Sequence, residues 1–253
     1  MSKKVCVVTG SSSGIGAATV RLYAKNSWNV VINFSRQLEP AEVVAAECRA
    51  LGAEVLVVQA DIASDADCRR LAAETEAKFG RADVLVNNAG TTKFVALKDL
   101  EGLSAEDFHA IYDVNVIGTY QMTRAFAPLM KKTPGGGVVN VSSVASMMGR
   151  GSSIAYMASK GAVNAMTVGL ARALAPEIRV NAIAPGFVET PWLEKGLSSG
   201  YGKMKAAYED VAALGAVIQP EDVADAAWWL GAGAAKTTGE VLLLDAGLRI
   251  SKG

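Results

Sequence analysis

The 253-residue chain has one histidine, three cysteines, seven prolines and no excess of either charge, since 25 Lys and Arg are matched by 25 Asp and Glu. Each scarcity removes a class of function. Zero net charge gives no long-range field for a polyanion, and nucleic-acid binding normally rests on a net basic face, so DNA and RNA are not expected partners. Cys6, Cys48 and Cys68 are odd in number and lack CxxC spacing. That fits buried thiols in a reduced intracellular protein rather than a disulfide framework. The single histidine, His109, cannot supply a two-His metal site, and no cluster of Cys, His and acid has ligand spacing. His109 lies in Ser104-Ala-Glu-Asp-Phe-His109, which reads as the capped start of a helix and puts the imidazole at the surface. Long apolar runs are also missing. Val5-Cys-Val-Val8 is too short for a secretory core, and the uncharged stretch 226–235 is about half of the ~20 residues a membrane span needs. A soluble cytoplasmic protein with no membrane partner is expected.

Hydrophobic residues make up 51% of the chain, enough for one large core, because chains approaching 300 residues bury roughly 75% of their surface. Residues 1–253 are read as a single domain. Short β-branched runs at 5–9, 30–32, 55–58, 84–86, 138–141, 179–183 and 241–244 are apolar without alternation, the mark of strands buried on both faces. Between them lie helical stretches such as 41–51, closed by Gly52, and 65–79, closed by Gly80. This alternation predicts an α/β fold: one doubly wound domain with a seven-stranded parallel sheet and helices on both faces. Residues 131–137 read as a loop entering a strand. Residues 185–220 form a connection of about 35 residues, far above the usual 2 to 6. Trp192, Leu193, Leu197, Tyr201, Met204 and Tyr208 suit it to a substrate-covering lid, and an ordinary packed helix pair is the plainer alternative.

Directly after the first strand stands Thr9-Gly-Ser-Ser-Ser-Gly-Ile-Gly16, followed by a helical segment. In a strand-turn-helix unit Gly10 permits the turn, Gly14 lets backbone approach a pyrophosphate, and Gly16 seats the helix against the sheet. Backbone N–H groups at the helix start would meet the phosphate. Further on, Tyr156 and Lys160 lie four apart in a helical segment, 153–175, so both side chains share one face about 6 Å apart along the axis. A cation there predicts a tyrosine pKa lowered from ~10 toward neutral, as general acid/base work requires. Ser143, at the end of the 138–141 strand, offers a hydroxyl to a carbonyl oxygen as charge develops on it. Asn115 is read inside the helix preceding that strand, where its amide either satisfies a backbone group or holds a water.

These motifs, in this order, resemble the short-chain dehydrogenase/reductase family. The resemblance runs from Lys4 to about Gly247, through the Gly-x3-Gly-x-Gly loop, Asn87-Asn-Ala-Gly90, the Ser143, Tyr156 and Lys160 set, Pro185-Gly-Phe-Val-Glu-Thr190 and Gln219-Pro-Glu-Asp-Val223. It implies a Rossmann-type fold and a catalytic set of Asn115, Ser143, Tyr156 and Lys160, in which Asn115 binds a relay water and Lys160 also holds the nicotinamide ribose. It implies a cofactor cradle of Gly10, Ser12, Ser13, Gly14, Ile15, Gly16, Ser35, Arg36, Asp61, Ile62, Asn88, Ala89, Gly90, Tyr156, Lys160, Pro185, Gly186, Val188 and Thr190. In such folds an acid at the tip of the second strand selects NAD, whereas a cation there accepts the 2′-phosphate of NADP. Here the tip reads Ile32-Asn-Phe-Ser-Arg36, so Ser35 and Arg36 predict NADP(H). Asp61 either accepts from the adenine amino group, as the resemblance implies, or caps a helix.

Within the family the chain resembles most the 3-oxoacyl carrier-protein reductase branch and relatives that reduce varied ketones. Ala216 stands where that branch often carries a basic residue, which favours a free small ketone over a carrier-bound one. The expected activity is NADPH-dependent reduction of a ketone or 3-oxoacyl group. The alternatives are an alcohol, sugar or hydroxysteroid dehydrogenase working oxidatively, and a non-catalytic NADP-sensing protein. A homotetramer and a small-molecule carbonyl or alcohol partner are also implied.

Overall fold

A run such as Val5-Cys-Val-Val8 forms a strand without polar alternation because its two faces enter two separate cores. Cys6 and Val8 pack with Val30, Ile32 and Leu230 on one side, while Val5 and Val7 pack with Val31, Leu85 and Phe126 on the other. Burial of both faces is why no position in Val5–Val8 carries a solvent-facing side chain. A computed structural model describes residues 2–250; Met1 and 251–253 of the expected domain lie outside the described residues.

The elements follow in the order β1 (Val5–Val8), α1 (Gly14–Lys25), β2 (Asn29–Phe34), α2 (Leu38–Ala50), β3 (Val55–Gln59), α3 (Asp65–Phe79), β4 (Val84–Asn87), α4 (Ala105–Tyr112) and α5 (Thr119–Met130). Then come β5 (Gly136–Val141), α6 (Ala145–Met148), α7 (Ile154–Leu174), β6 (Ile178–Pro185), α8 (Pro191–Leu197), α9 (Tyr201–Val211), α10 (Pro220–Trp228) and β7 (Val241–Leu244). The seven strands form one sheet in the order β3-β2-β1-β4-β5-β6-β7, parallel throughout. The doubly wound Rossmann-like fold expected from the sequence is the one observed. Strand order reverses between β1 and β4, and in such sheets a crevice opens at that point beyond the carboxyl ends of the strands.

Local signals act where the sequence puts them. Gly80 ends α3 in the left-handed conformation at φ 68°, and Ser153 caps α7 by accepting from Tyr156 N–H. His109 is exposed in a helix with a Ser104 and Asp107 capping box. Two expectations need correction. Residues 136 and 137 belong to β5 rather than to the loop before it, because glycine lets this strand approach Asp83 too closely for any Cβ. Asn115 lies in a π-helical turn, Asp113–Gly118, between α4 and α5 rather than in regular helix. Among the described residues, no helix is long and apolar enough to cross a membrane.

Candidate active site

The glycine loop leaves β1 and is held by polar side chains from neighbouring strands. Asn33, on β2, accepts from Gly10 N–H at 3.1 Å and donates to the carbonyls of Val58 and Ala60. Asn88 donates to the carbonyls of Thr9 and Gly10 at 2.9 and 3.0 Å, while Thr9 Oγ1 accepts from the N–H groups of Asn88 and Ala89 at 3.0 Å each. A Cβ on Gly16 would stand 2.5 Å from the Gly10 carbonyl oxygen, and Gly14 adopts φ 51°, with Thr190 against it. Among the described residues, five helices have Ser or Thr at the N-cap; Ser64, Ser104, Ser153 and Thr190 cap theirs with the side chain, and Ser13, at the start of α1, does not. A helix start whose side chain leaves the backbone N–H groups available, on a loop with no Cβ to block approach, fits a pyrophosphate.

The loop borders an open cleft of about 1060 Å³. Gly10, Ser12, Ser13, Gly14, Ile15, Ser35, Arg36, Asp61, Ile62, Asn88, Ala89, Gly90, Pro185, Gly186, Val188 and Thr190 all line it. Gly16 lies beneath it, seating α1 on the loop. Arg36 is exposed at its edge, without an ion pair or side-chain hydrogen bond among the described residues. Asp61 does not cap α3; Ser64 does, and Asp61 closes the preceding turn by accepting from Ala63 N–H at 3.0 Å. Thr190 stands against the glycine loop, but its hydroxyl caps α8 by accepting from Leu193 N–H.

Ser143, Tyr156 and Lys160 meet on the same cleft. The Lys160 ammonium is 5.6 Å from the Tyr156 ring centroid and donates to the Val141 carbonyl at 2.8 Å, which ties α7 to the tip of β5. Burial pushes the Lys160 pKa down to about 8. Tyr156 keeps part of its surface open to the cleft yet sits deep enough that desolvation pushes its phenol up to about 12, against a smaller lowering from hydrogen bonding with Ser143. The lowered tyrosine pKa expected from sequence is therefore not observed. The ammonium is committed to a carbonyl, and burial penalises the phenolate more than the neighbouring groups favour it.

Asn115 is buried and fully engaged: Oδ1 accepts from Thr91 N–H at 2.8 Å, and Nδ2 donates to the Thr91 carbonyl and Ser159 Oγ at 3.0 Å each. Of the two readings open from sequence, satisfaction of backbone groups is the one the structure displays. The site also uses residues that sequence reading passed over. Asn33 could have been noticed as an amide inside an apolar strand, as Asn140 and Asn181 also are. Phe94 has no local signal, and its ring packs 5.7 Å from Trp192, which lies 6.4 Å from Tyr156. Leu193, Leu197, Met204 and Tyr208 complete this apolar end, whereas Tyr201 turns away to pack on Phe187 at 5.7 Å.

Comparison with known proteins agrees with this geometry. The family model for short chain dehydrogenase matches residues 4–199. The chain is 41% identical over 246 residues to a protein of Streptomyces violaceoruber assigned as ketoacyl reductase 2 of the granaticin polyketide synthase, covering 97% of this chain and 96% of that one. It is 35% identical to the 3-oxoacyl acyl-carrier-protein reductase of Thermotoga maritima over 98% of both chains. A crystal structure from Burkholderia xenovorans, assigned to the short-chain dehydrogenases/reductases, superposes with a TM-score of 0.92 at 42% identity over 99% of both chains. The chain belongs to the short-chain dehydrogenase family and is an oxidoreductase of the kind that works with a nicotinamide cofactor.

Proposed function

We propose that the protein is an NADPH-dependent carbonyl reductase acting on ketones or 3-oxoacyl groups. The observation that carries this reading is the Tyr156 phenol, its pKa pushed up to about 12, next to Ser143 and Lys160 on the cleft that the glycine loop borders. A phenol that is protonated at neutral pH is ready to give a proton to an alkoxide, whose conjugate acid is weaker still.

When bound, the dihydronicotinamide supplies the hydride to the carbonyl carbon, and the cofactor leaves oxidised. Tyr156 Oη gives its proton to the carbonyl oxygen, so carbonyl, hydride and proton together make the alcohol. Ser143 Oγ donates to that oxygen while negative charge builds on it. Lys160, a cation below about pH 8, stabilises the tyrosinate left behind and hands it a proton. Asn115 acts as a positioning residue: its bonds to Thr91 and Ser159 hold the floor of this proton path. Ser12, Ser13, Gly14 and Ile15 take the pyrophosphate, Ser35 and Arg36 the 2′-phosphate, and Asp61 and Ile62 the adenine. Asn88, Ala89 and Gly90 line the adenosine side, and Pro185, Gly186, Val188 and Thr190 flank the nicotinamide.

Residues 185–220 cover the substrate as a lid, and the apolar wall of Phe94, Trp192 and Met204 suits a ketone with a hydrophobic part. The homotetramer implied by the family resemblance would cover Ile117, Tyr120 and Val168, which are 45%, 44% and 49% exposed. The test is NADPH consumption against a panel of ketones with identification of the alcohol formed. Stoichiometric alcohol supports the reading, and no turnover of any ketone overturns it.

A further inference from the structure

The charged residues lining the cleft are Arg36, Asp61, Arg150 and Lys160. Arg36 and Asp61 stand at the adenosine side of the proposed cofactor, and Lys160 is bonded to Val141. Arg150 has no role in the reaction as derived. Its position is set by Gly149, which ends α6 in the left-handed conformation at φ 63° and turns the chain toward α7. Ser152, two residues on, is fixed by the segment that carries Phe94: its carbonyl accepts from Val95 N–H at 2.8 Å, and its hydroxyl lies 2.7 Å from Thr92 Oγ1. Arg150 therefore belongs to the end of the cleft walled by Phe94 and Trp192.

Seven arginines among the described residues are engaged by other protein groups. Arg21, Arg49, Arg69, Arg70, Arg81 and Arg124 pair with carboxylates, and Arg179 donates to three backbone carbonyls. Arg36, Arg150, Arg172 and Arg249 have no side-chain partner of this kind among the described residues, and of these only Arg36 and Arg150 line the cleft. Tyr208 of α9 lines the same cleft as Arg150; burial pushes its phenol up, against a smaller lowering by the Arg150 guanidinium. The Tyr208 ring is held on Phe187 at 5.0 Å, and its hydroxyl makes no hydrogen bond among the described residues. No carboxylate lines this end of the cleft. A guanidinium fork and a phenolic O–H, both without a protein acceptor, form a donor set matched to a two- or three-oxygen anion.

We propose that the substrate carries, besides its carbonyl, an oxyanion such as a carboxylate or phosphate, bound by Arg150 and Tyr208 at the apolar end of the cleft. The apolar wall between Tyr156 and this pair would take the linking carbons. The inference rests on the carbonyl-reductase reading and adds the substrate's charge to it.

The test uses the full-length protein with NADPH and methyl ketones of increasing chain length, each ending in a carboxylate, its methyl ester or a phosphate. The readout is the ratio of kcat/KM for anion over ester. The expected ratio at the best chain length is about ten- to hundredfold at low salt, as one charge-assisted hydrogen-bonded pair provides, and it falls as salt is raised. Arg150→Lys keeps part of the preference, Arg150→Glu inverts it, and Tyr208→Phe lowers it by about threefold. The carboxylate and phosphate arms show which oxyanion is preferred. Ester turnover by Arg150→Glu shows that this variant is folded. A ratio near one at every length, or a preference that survives Arg150→Glu, overturns the inference and leaves ketone reduction standing. Failure to reduce any of these ketones overturns both.

Discussion

At the glycine-loop end of the cleft the chain comes from the tips of β1, β2 and β4 and is cross-braced by Asn33, Asn88 and Thr9, whereas at the opposite end it comes from α8 and α9, which bury none of their residues. The first end has almost no freedom to change. Its carbonyls and amides satisfy one another across three strands, so one shifted atom breaks several bonds. The second end is laid over the molecule by ring contacts and by the Glu189 pair with Lys205. Elements with few buried contacts open and vary at little cost to the fold. Under the proposed function this division separates what the reaction always needs, a fixed cofactor and proton donor, from what each substrate needs.

The sharpest way to break the contrast is to damage the rigid end. Gly16→Ala puts a Cβ 2.5 Å from the Gly10 oxygen and 2.7 Å from Asn88 Nδ2, so the loop must move. NADPH binding, followed by fluorescence titration, is expected to weaken by at least about a hundredfold, while the melting temperature falls by no more than about 10 °C. Next in size, Arg36→Asp is expected to shift the ratio of kcat/KM from NADPH toward NADH by about ten- to hundredfold, since it removes a phosphate partner and adds a ribose acceptor. At the open end Trp192→Ala is expected to raise KM for apolar ketones about three- to tenfold, with kcat nearly unchanged and no measurable loss of melting temperature. That last pairing, lost binding without lost stability, is the signature that separates the two ends.

A pH series sharpens the same comparison through Lys160, which belongs to the rigid end. Its pKa is lowered from 10.5 to about 8, so between these values the unfolded chain holds a proton that the folded chain has released. Stability from this group therefore rises with pH across that window. Activity moves the other way, because the cation is lost. The reductive kcat/KM is expected to be flat near neutrality and to fall about tenfold per pH unit above about 8, and a rate that climbs through this range would remove Lys160 from its role.

The rigid end was also the more legible one in the sequence. Strands such as Val241–Leu244 and the turns at Gly52 and Gly80 are written locally, in apolar runs and in glycines that end helices. The glycine loop and the Tyr156 and Lys160 spacing are equally local, so their positions on one cleft follow once the strand order is known. What escaped was set by contacts between remote segments. Asn33 works because β2 lies between β1 and β3, and the π-helical turn around Asn115 reveals itself only in the backbone. The Tyr156 pKa went the opposite way from the expected direction because the sequence displays a neighbouring lysine but not the burial that outweighs it. Arg150 carried no motif at all and gains meaning only from having no carboxylate partner at the end of the cleft that Phe94 and Trp192 wall.

The most direct measurement is turnover by Tyr156→Phe, with NADPH binding measured on the same preparation. The account predicts that binding is retained within a few-fold while ketone reduction falls by about a hundred- to ten-thousandfold, because the phenol supplies the proton and not the affinity. A variant that binds NADPH, remains folded and still reduces ketones at close to the original rate would contradict it.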